Sequence, residues 1–414
     1  MAAYRAGETM NLISSRNIEP SPRKRTGKRI LLASRSGQLG GMELRLADEA
    51  RFLAHRGYTS LLALSPFPDR NVWLDKLLSD NPDFSRFEFD PPPFFEEWAW
   101  RYRNFLLARM LWPPRLRRAK FDFAHIFYAW TFEGGSRLWL CHKAGVPCVL
   151  SVHNAFPKAQ LLPWYARLTD ESFASVRGLY AVSQSALDHF VSTYGRYIRE
   201  GTVVRAIPNF VDVSRFTPSP AIRLQTRFEL GIPEDAKVIG SVGRVDVQKQ
   251  PFHVLETFDR LWAVRQDIYL VFCGQGPLKD KVEAEADRKP WADRVRFLGF
   301  RNDTERIFPA LDVHLLLSKQ EGFGISTVEA MACGVPVVAT DVPGSRDILK
   351  GTQAGRLVPF GDIGAVARMA ALFLDSPDMG SVTGEVSRRF AVENYSKETW
   401  ARRLENFYNE TMDT

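Results

Sequence analysis

The sequence predicts an α/β protein with two doubly wound parallel-sheet domains that face a central cleft. Its 414 residues are enough for two domains of ordinary size. Short apolar segments alternate with helix-length segments, and this alternation starts again after the proline-containing stretch 205–222. Because strand–helix–strand units form right-handed crossovers, each series builds a parallel sheet covered by helices on both faces. Binding residues are then expected at the carboxyl ends of the strands and between the domains.

The first series of strands begins with the apolar segment RILLAS at 29–34. A glycine-containing turn follows, and an amphipathic helix runs from about Leu44 to His55, where Gly57 ends it. Further apolar runs of strand length lie in the same half of the chain, at 59–64, 147–153 and 178–183.

The second series of strands lies beyond the linker. Its predicted strands are the apolar segments 236–243, 268–274, 294–300, 313–318 and 335–340. The last segment, 398–410, places Trp400, Leu404 and Tyr408 four residues apart. This spacing predicts an amphipathic helix that packs on a partner surface.

Composition excludes several classes of protein. Hydrophobic residues make up 45% and charged residues 25% of the chain, which excludes a largely disordered protein. No uncharged apolar stretch is long enough to span a membrane, and the basic first residues lack the apolar core of a signal peptide. The four cysteines show no Cys-x-x-Cys spacing, so we expect buried thiols in a reducing cytoplasm. The absence of Asp-x-Asp, His-Glu-x-x-His and Walker lysine motifs predicts no metal site and no P-loop.

The positive charge of the chain is local. The formal net charge is +7, yet residues 1–30 carry +5 and residues 98–120 carry +7, so the remainder is negative. This distribution disfavours a nucleic-acid-binding protein, whose basic residues cover a whole face. Segment 98–120 combines tryptophan, leucine and arginine without any acid, which is typical of a helix on an anionic membrane. The alternative is a soluble helix with one buried face and one solvated basic face.

Two glutamates eight residues apart, Glu321 and Glu329, lie in the stretch 318–349. Glycines precede a predicted helix here, so backbone N–H groups and the helix N-terminus can approach an anion. A carboxylate in this setting can accept hydrogen bonds from sugar or ribose hydroxyls. For Glu329 an equally good alternative is a structural role, because Ser326 and Glu329 match a capping box. No helix cap requires Glu321.

Two cations, Arg244 and Lys249, follow the predicted strand that ends at Gly243. At the carboxyl end of a parallel strand, such a pair is well placed to neutralise a diphosphate. The alternative is an exposed basic loop without a ligand.

Two weaker signals lie in the first half of the chain. Gly40 and Gly41 open the first helix directly after a strand, as phosphate-approach turns do, but a flexible turn also explains them. His153 comes just past a predicted strand end, where functional side chains collect. For a single histidine, a surface or packing role is the more frequent one.

Taken together, these motifs resemble those of glycosyltransferases with the GT-B fold, which has two Rossmann-like domains, and most closely the retaining, nucleotide-sugar-dependent family 4. The resemblance is strongest from about 203 to 349 and continues more weakly over 29–202. The motifs that carry it are the Gly-Gly turn, His-Asn after a strand, Pro-Asn-x-Val-Asp at the linker, Gly-Arg…Lys, Cys-Gly-x-Gly-Pro-Leu at 273–278, and Glu-x7-Glu before Ala-Met-Ala-x-Gly. The sequence departs from the family pattern at Phe210 and Gln250, where glycine is usual, and these departures concern the geometry between the domains.

The resemblance implies four catalytic residues. Arg244 and Lys249 would hold the diphosphate, Glu321 would face the donor sugar, and His153 would lie near that sugar on the first domain. The fixed cations would then assist departure of the nucleoside diphosphate. No protein nucleophile, metal or other cofactor is expected, and the configuration of the sugar would be retained.

The resemblance also implies a set of donor-binding residues. Glu329 would bind the ribose hydroxyls, and Gly40 and Gly41 would let the first domain approach the diphosphate. Arg301 would lie beside the nucleotide base. The full predicted set is Gly40, Gly41, Phe323, Gly324, Ile325, Glu329 and Arg301.

The strand pattern and the resemblance together predict four parts of the chain. These are a flexible basic N-terminus (1–27), an acceptor-side Rossmann-like domain (28–206), a nucleotide-sugar-binding Rossmann-like domain (207–391) and a C-terminal helix that crosses back to the first domain (392–414).

The implied activity is transfer of a hexose-type sugar from a UDP- or GDP-sugar to a polysaccharide or lipid-linked glycan, in bacterial-type surface glycan synthesis such as that of lipopolysaccharide. We expect no nucleic-acid partner. We expect a cytoplasmic protein, peripheral on the inner face of the plasma membrane and attached to anionic lipid through 98–120. The alternative is a non-catalytic nucleotide-sugar-binding or membrane-associated scaffold of the same fold.

Overall fold

In a computed structural model that describes residues 27–35, 41–66, 70–128 and 132–412, the strands form two parallel sheets. The first sheet contains β1 (Arg29–Ser34), β2 (Thr59–Leu64), β3 (Phe84–Arg86), β4 (Phe123–Tyr128), β5 (Cys148–Val152), β6 (Val176–Ala181) and β7 (Val203–Ala206), in the order β3-β2-β1-β4-β5-β6-β7. The second contains β8 (Lys237–Val242), β9 (Ile268–Cys273), β10 (Val295–Phe297), β11 (Val313–Leu316), β12 (Val337–Thr340) and β13 (Gly355–Val358), in the order β10-β9-β8-β11-β12-β13. Each order reverses direction once, as in doubly wound sheets, so the predicted fold class is confirmed.

Helices connect the strands and cover both faces of each sheet. In the first half they are α1 (Gly41–His55), α2 (Arg70–Asp80), α3 (Arg101–Ala119), α4 (Gly135–Ala144), α5 (Pro163–Phe173) and α6 (Gln184–Tyr194). In the second half they are α7 (Pro220–Glu229), α8 (Pro251–Trp262), α9 (Lys279–Ala286), α10 (Thr304–Ile307), α11 (Ile325–Ala332), α12 (Pro343–Leu349), α13 (Ile363–Asp375), α14 (Pro377–Tyr395) and α15 (Lys397–Met412). Short 3₁₀ turns occupy Gly195–Tyr197, Ala292–Arg294 and Phe308–Ala310.

The predicted strands are all present, but β3, β4, β7 and β13 were missed. β4 is wholly buried, yet it carries His125 at its centre, which interrupts the apolar run in the sequence. β7 and β13 are partly exposed edge strands of four residues, and β3 has only three. Short edge strands bury little apolar surface, so they leave a weak hydrophobic pattern in the sequence.

The carboxyl ends of the two sheets face each other, and hydrogen bonds join the two sides of the cleft. Ser183 Oγ, at the N-cap of α6, donates to the carbonyl of Gly322 at 2.7 Å. Ser185 Oγ donates to Asp347 Oδ1 on α12, also at 2.7 Å. A Cβ at position 322 would lie 2.6 Å from the carbonyl oxygen of His153, so this backbone contact between the two sides requires glycine.

The last helix, α15, packs on the first sheet beside α1 through a buried polar network. Tyr408 Oη donates to Glu49 Oε1 at 2.5 Å, and Tyr180 Oη donates to Glu49 Oε2 at 2.7 Å. His125 Nδ1 lies 2.9 Å from Tyr408 Oη, and none of the four side chains is more than 3% exposed. Burial raises the pKa of both tyrosines well above the ordinary value, so their hydroxyls stay protonated and donate. The network fixes the C-terminal helix to α1 and to two strands of the first sheet.

Candidate active site

Lys249 and Glu321 form an ion pair at the carboxyl edge of the second sheet. Lys249 lies in the turn between β8 and α8, and Glu321 lies in the loop between β11 and α11. The Lys249 ammonium donates to Glu321 Oε1, which also accepts from Ser318 Oγ at 2.6 Å. The two charged side chains are only 18% and 7% exposed, so the pair is largely withdrawn from water. Two motifs that lie 72 residues apart in the chain therefore form one charged unit.

Arg244 lies on the same turn, and its side chain is about half exposed. Arg244 Nη1 lies 3.0 Å from Asp246 Oδ2, and Nη2 donates to Gln248 Oε1 at 3.0 Å. The Asp246 carboxylate also accepts from the backbone N–H of Lys249 at 3.0 Å, so it orders the whole turn. Because the Arg244 guanidinium is itself half exposed and both of its partners are neighbours in the same loop, an anionic ligand can compete for it.

Gln250, one of the two departures from the family pattern, is the N-cap of α8. Its φ is 52°, in the left-handed region that glycine enters without strain. The Gln250 side chain donates from Nε2 to the carbonyl of Val247 at 2.5 Å. The turn that carries Lys249 therefore forms without glycine at this position.

Glu329 lies on α11 and does not cap that helix. The N-cap of α11 is Gly324, with φ 92°, and Ser326 lies inside the helix, so the capping-box alternative is wrong. The Glu329 carboxylate is partly buried and accepts no hydrogen bond from any described residue. Its confinement in the cleft raises its pKa to about 7, against the opposing positive charges of Arg45 and Arg215. This carboxylate is thus available to a ligand.

His153 lies just beyond β5, on the first-domain side of the cleft. Its ring stacks on Phe127 with centroids 5.3 Å apart, and Nε2 lies 2.9 Å from Ser151 Oγ. Burial lowers its pKa to about 3, with further contributions from His125 and Arg45. The imidazole is therefore neutral at physiological pH and can accept or donate a hydrogen bond without carrying charge.

Gly41 and Ile325, at the starts of α1 and α11, lie close to each other across the cleft. A Cβ at Gly41 would lie 3.4 Å from Ile325 Cδ1, which is ordinary van der Waals contact. Phe323 is buried, and its ring meets Tyr395 edge to face at 5.4 Å, so its side chain is part of the core between the domains. Gly40 lies outside the described residues.

Arg301 follows β10, and its guanidinium is held by a neighbouring side chain. Nε and Nη2 donate to the two carboxylate oxygens of Asp303 at 2.7 and 2.6 Å. These hydrogen bonds raise the pKa of Arg301 and lower that of Asp303. Contact between Arg301 and a nucleotide base stays a prediction.

The sequence analysis did not single out Arg45, and it assigned Phe210 only an effect on the geometry between the domains. The Arg45 Cζ lies 3.9 Å from the centroid of the Phe210 ring, and Phe210 packs on Trp400 of α15 at 4.8 Å. Phe210, 5% exposed, therefore connects the linker with α1 and α15. One signal for Arg45 was available, since its four-residue spacing from Gly41 places both residues on one face of α1.

The remaining thiols and acidic groups form no further centre in the described part of the chain. Cys141, Cys148, Cys273 and Cys333 are buried and unpaired. Among the residues that the structure describes, no three His, Cys, Asp or Glu side chains are grouped closely enough to hold a metal ion. None of the described helices combines the length and apolar character needed to cross a bilayer.

Sequence comparison covers both halves of the chain. Residues 39–215 match the family model "Glycosyltransferase Family 4", and residues 223–397 match "Glycosyl transferases group 1". A D-inositol 3-phosphate glycosyltransferase of Salinispora arenicola is 30% identical over 317 residues, which cover 70% of this chain and 69% of the relative. The lipopolysaccharide core biosynthesis mannosyltransferase LpsB of Rhizobium meliloti is 29% identical over 226 residues, which cover 51% of this chain and 64% of the relative. N-acetyl-alpha-D-glucosaminyl L-malate synthase of Bacillus anthracis is 27% identical over 209 residues, which cover 50% of this chain. In these last two comparisons the chain spans 64% and 54% of the relative's length, less than two thirds.

Structural comparison extends over nearly the whole fold. A crystal structure of Anabaena Alr3699/HepE in complex with UDP has a TM-score of 0.75 at 19% identity, covering 92% of this chain and 99% of that chain. WaaG, a glycosyltransferase involved in lipopolysaccharide biosynthesis, has a TM-score of 0.69 at 17% identity, covering 92% and 99%. At these identities the likeness is one of fold. The two matched halves, the Salinispora relative that is covered over more than two thirds of its length, and the fold agree that this chain belongs to family 4 of the GT-B glycosyltransferases.

Proposed function

We propose that the chain is a retaining hexosyltransferase that moves a sugar from a UDP- or GDP-sugar to a polysaccharide or lipid-linked glycan acceptor. The observation that carries this proposal is the Lys249–Glu321 pair, with Arg244 on the same turn, at the carboxyl edge of the second sheet. Support for the donor class comes from Anabaena HepE, which was crystallised with UDP and with UDP-glucose. Support for the acceptor class comes from LpsB, a relative named for lipopolysaccharide core biosynthesis.

In the proposed reaction, the bond between C1 of the sugar and the β-phosphate oxygen breaks, and its electron pair stays on the phosphate. The acceptor hydroxyl oxygen attacks C1 from the same face and passes its proton to the departing phosphate, which retains the configuration. Arg244 and Lys249 stabilise the negative charge that develops on the phosphate. Contact between the two sides of the cleft excludes water and so limits hydrolysis.

Two features of the second domain suit the negative charge that develops on the phosphate. Lys249 is already desolvated beside Glu321, and a cation in a dry site acts more strongly on a phosphate than one in water. The N-cap of α11 is Gly324, which has no side chain to accept from the first N–H groups of the helix. We propose that these groups and the two cations supply the positive potential, and that no metal or other cofactor takes part.

The experiment that tests the proposal is a panel of UDP- and GDP-sugars screened by thermal shift, with free UDP and GDP as controls. A nucleotide sugar that raises the melting temperature is then offered with glycan and lipid-linked acceptors. The anomeric configuration of the product is read by NMR. Binding without turnover on any acceptor supports the scaffold alternative, an inverted product contradicts the retaining mechanism, and absence of any nucleotide binding overturns the proposal.

We also propose that the protein is peripheral on the anionic inner face of the plasma membrane, through α3. One face of α3 is buried, where the helix packs on α4: Asn104, Ala108, Trp112 and Leu116. Exposed apolar side chains lie on the other faces of α3 and in the residues just before it: Trp98, Trp100, Tyr102, Leu106, Leu107, Met110 and Leu111. Exposed arginines accompany them: Arg103, Arg109, Arg115, Arg117 and Arg118. Helices at a membrane surface insert their apolar side chains among the lipids and place their arginines at the anionic headgroups.

Co-sedimentation with vesicles tests the membrane proposal. We expect binding to phosphatidylglycerol-containing vesicles, weaker binding to phosphatidylcholine, and loss of binding as salt increases. The variant with Leu106→Ser and Met110→Ser should bind less, whereas Phe228→Ser, which removes an exposed aromatic ring from α7, should bind normally. Absent or salt-insensitive binding assigns α3 to ordinary protein surface.

A further inference from the structure

We propose that Arg45 is a further donor-binding residue, which holds the diphosphate from the first-domain side of the cleft. This inference rests on the proposed nucleotide-sugar donor. Arg244 and Lys249 both belong to the second domain, so Arg45 would be the cation through which the first domain contacts the same ligand. Domain closure and donor binding would then depend on one another.

The helices place Arg45 directly at the cleft. Gly41 and Arg45 lie one turn apart on α1, and Ile325 and Glu329 lie one turn apart on α11. The backbone of Gly41 lies close to the Ile325 side chain, and Arg45 and Glu329 each lie one turn further along their own helix. The charge of Arg45 accordingly opposes the rise in the Glu329 pKa, and it lowers the pKa of His153 as well.

The Arg45 guanidinium is held in place, but some of its N–H groups lack a hydrogen-bond acceptor among the described residues. The side chain is 13% exposed, and its Cζ lies 3.9 Å from the centroid of the Phe210 ring, which restrains its position. Its only ion pair among the described residues is with Asp48, at 3.3 Å from Nη1, and neither Nε nor Nη1 has a hydrogen-bond partner there. Buried guanidinium N–H groups without acceptors are costly, and a ligand with acceptor oxygens would satisfy them.

The neighbours of Arg45 indicate which part of the donor it meets. In the proposed complex Glu329 binds the ribose and His153 lies near the sugar. The diphosphate is the group that connects these two parts of a nucleotide sugar. Arg45 lies on the same face of α1 as Gly41 and against the Phe210 ring of the linker. Its charge also acts on both Glu329 and His153, and a guanidinium fork matches phosphate oxygens, so we assign it to the diphosphate between them.

The test compares a nucleoside diphosphate with its nucleoside. Whichever of UDP or GDP binds the wild type is titrated calorimetrically into wild type, Arg45→Gln and Arg51→Gln, and the nucleoside is measured by competition. Arg51 is the matched control, because it lies on the same helix and pairs with the same Asp48 at 3.1 Å. We expect Arg45→Gln to weaken diphosphate binding by about 10- to 100-fold, as for a lost charge-assisted hydrogen bond, and to leave nucleoside binding and the control unchanged.

The outcomes separate this inference from the proposed function. Equal losses for diphosphate and nucleoside would mean that Arg45 acts only through Glu329, and unchanged affinities would remove it from the site; either result overturns the inference. If Arg45→Gln does not fold, Arg45→Lys keeps the charge but loses the fork, and the same selective loss for the diphosphate is expected. A wild type that binds neither UDP nor GDP overturns the proposed donor itself, and the inference with it.

Discussion

Replacing Glu329 with glutamine should stabilise the unliganded protein at alkaline pH while weakening nucleotide binding. The Glu329 pKa is raised from 4.5 to about 7, chiefly because the cleft desolvates the carboxylate. Between these pH values the folded protein keeps a proton on Glu329 that the unfolded chain has released. This residue therefore makes the folded state less stable as the pH rises through that window.

The size of the effect follows from the difference between the two pKa values. At 1.36 kcal/mol for each pH unit, the ionised Glu329 costs the folded state roughly 3 kcal/mol above pH 7, as an upper limit for a partly exposed group. Glutamine cannot ionise, so Glu329→Gln should melt higher than wild type at pH 8 and close to wild type at pH 4.5. Glutamine is also a poorer acceptor for a ribose hydroxyl, so nucleotide affinity should fall about 10- to 100-fold.

The assay is a melting curve of the unliganded protein at both pH values, together with calorimetric titration of the nucleotide. Glu256→Gln is the control, because it removes a half-exposed carboxylate of α8 that pairs with Arg260. If Glu329→Gln melts lower than wild type at both pH values and binds nucleotide normally, Glu329 is a structural residue and the desolvation reasoning is wrong.

Three further predictions concern other residues. Arg244→Ala and Lys249→Ala should each lower kcat/KM by about 10²- to 10³-fold and leave the fold intact, as loss of an oxyanion-hole donor does. Wild-type turnover in both variants would show that neither residue belongs to the active site. Because its pKa is lowered to about 3, neutral His153 makes the folded state less stable as the pH falls below 6.5, by roughly 2 kcal/mol at pH 5. His153→Gln should therefore flatten the plot of unfolding free energy against pH in this range. An unchanged plot would contradict the burial of His153 as a neutral imidazole. Tyr408→Phe leaves Glu49 short of one buried donor and should cost about 1.5–3 kcal/mol in denaturant unfolding. This cost should exceed that of Tyr58→Phe, whose hydroxyl donates to the weakly accepting Met412 sulfur, and equal costs would argue against the buried network.

The sequence by itself determined the two parallel sheets and the edge at which the site lies. Apolar strands and amphipathic helices leave local patterns in the sequence, so strands such as 29–34 and 313–318 could be predicted from it. The parallel pairing of the strands follows from their alternation with helices. Arg244, Lys249 and Glu321 lie in the loops that follow such strands, and the carboxyl ends of the strands of one parallel sheet lie at one edge. Their grouping was therefore predictable, whereas their individual hydrogen bonds were not.

Only the tertiary structure decided the relations between distant parts of the chain. The capping box at Glu329 is a valid local pattern, but α11 begins at Ile325 with Gly324 as its N-cap, and the preceding Gly322 packs against the His153 backbone across the cleft. From the sequence, Arg45 looks like a surface residue of an amphipathic helix, whereas in the structure its guanidinium lies over the Phe210 ring and its charge acts on Glu329. Burial and electrostatics depend on neighbours brought together by folding, so the four-residue spacing from Gly41 was not enough to single out Arg45 among the exposed positions of α1.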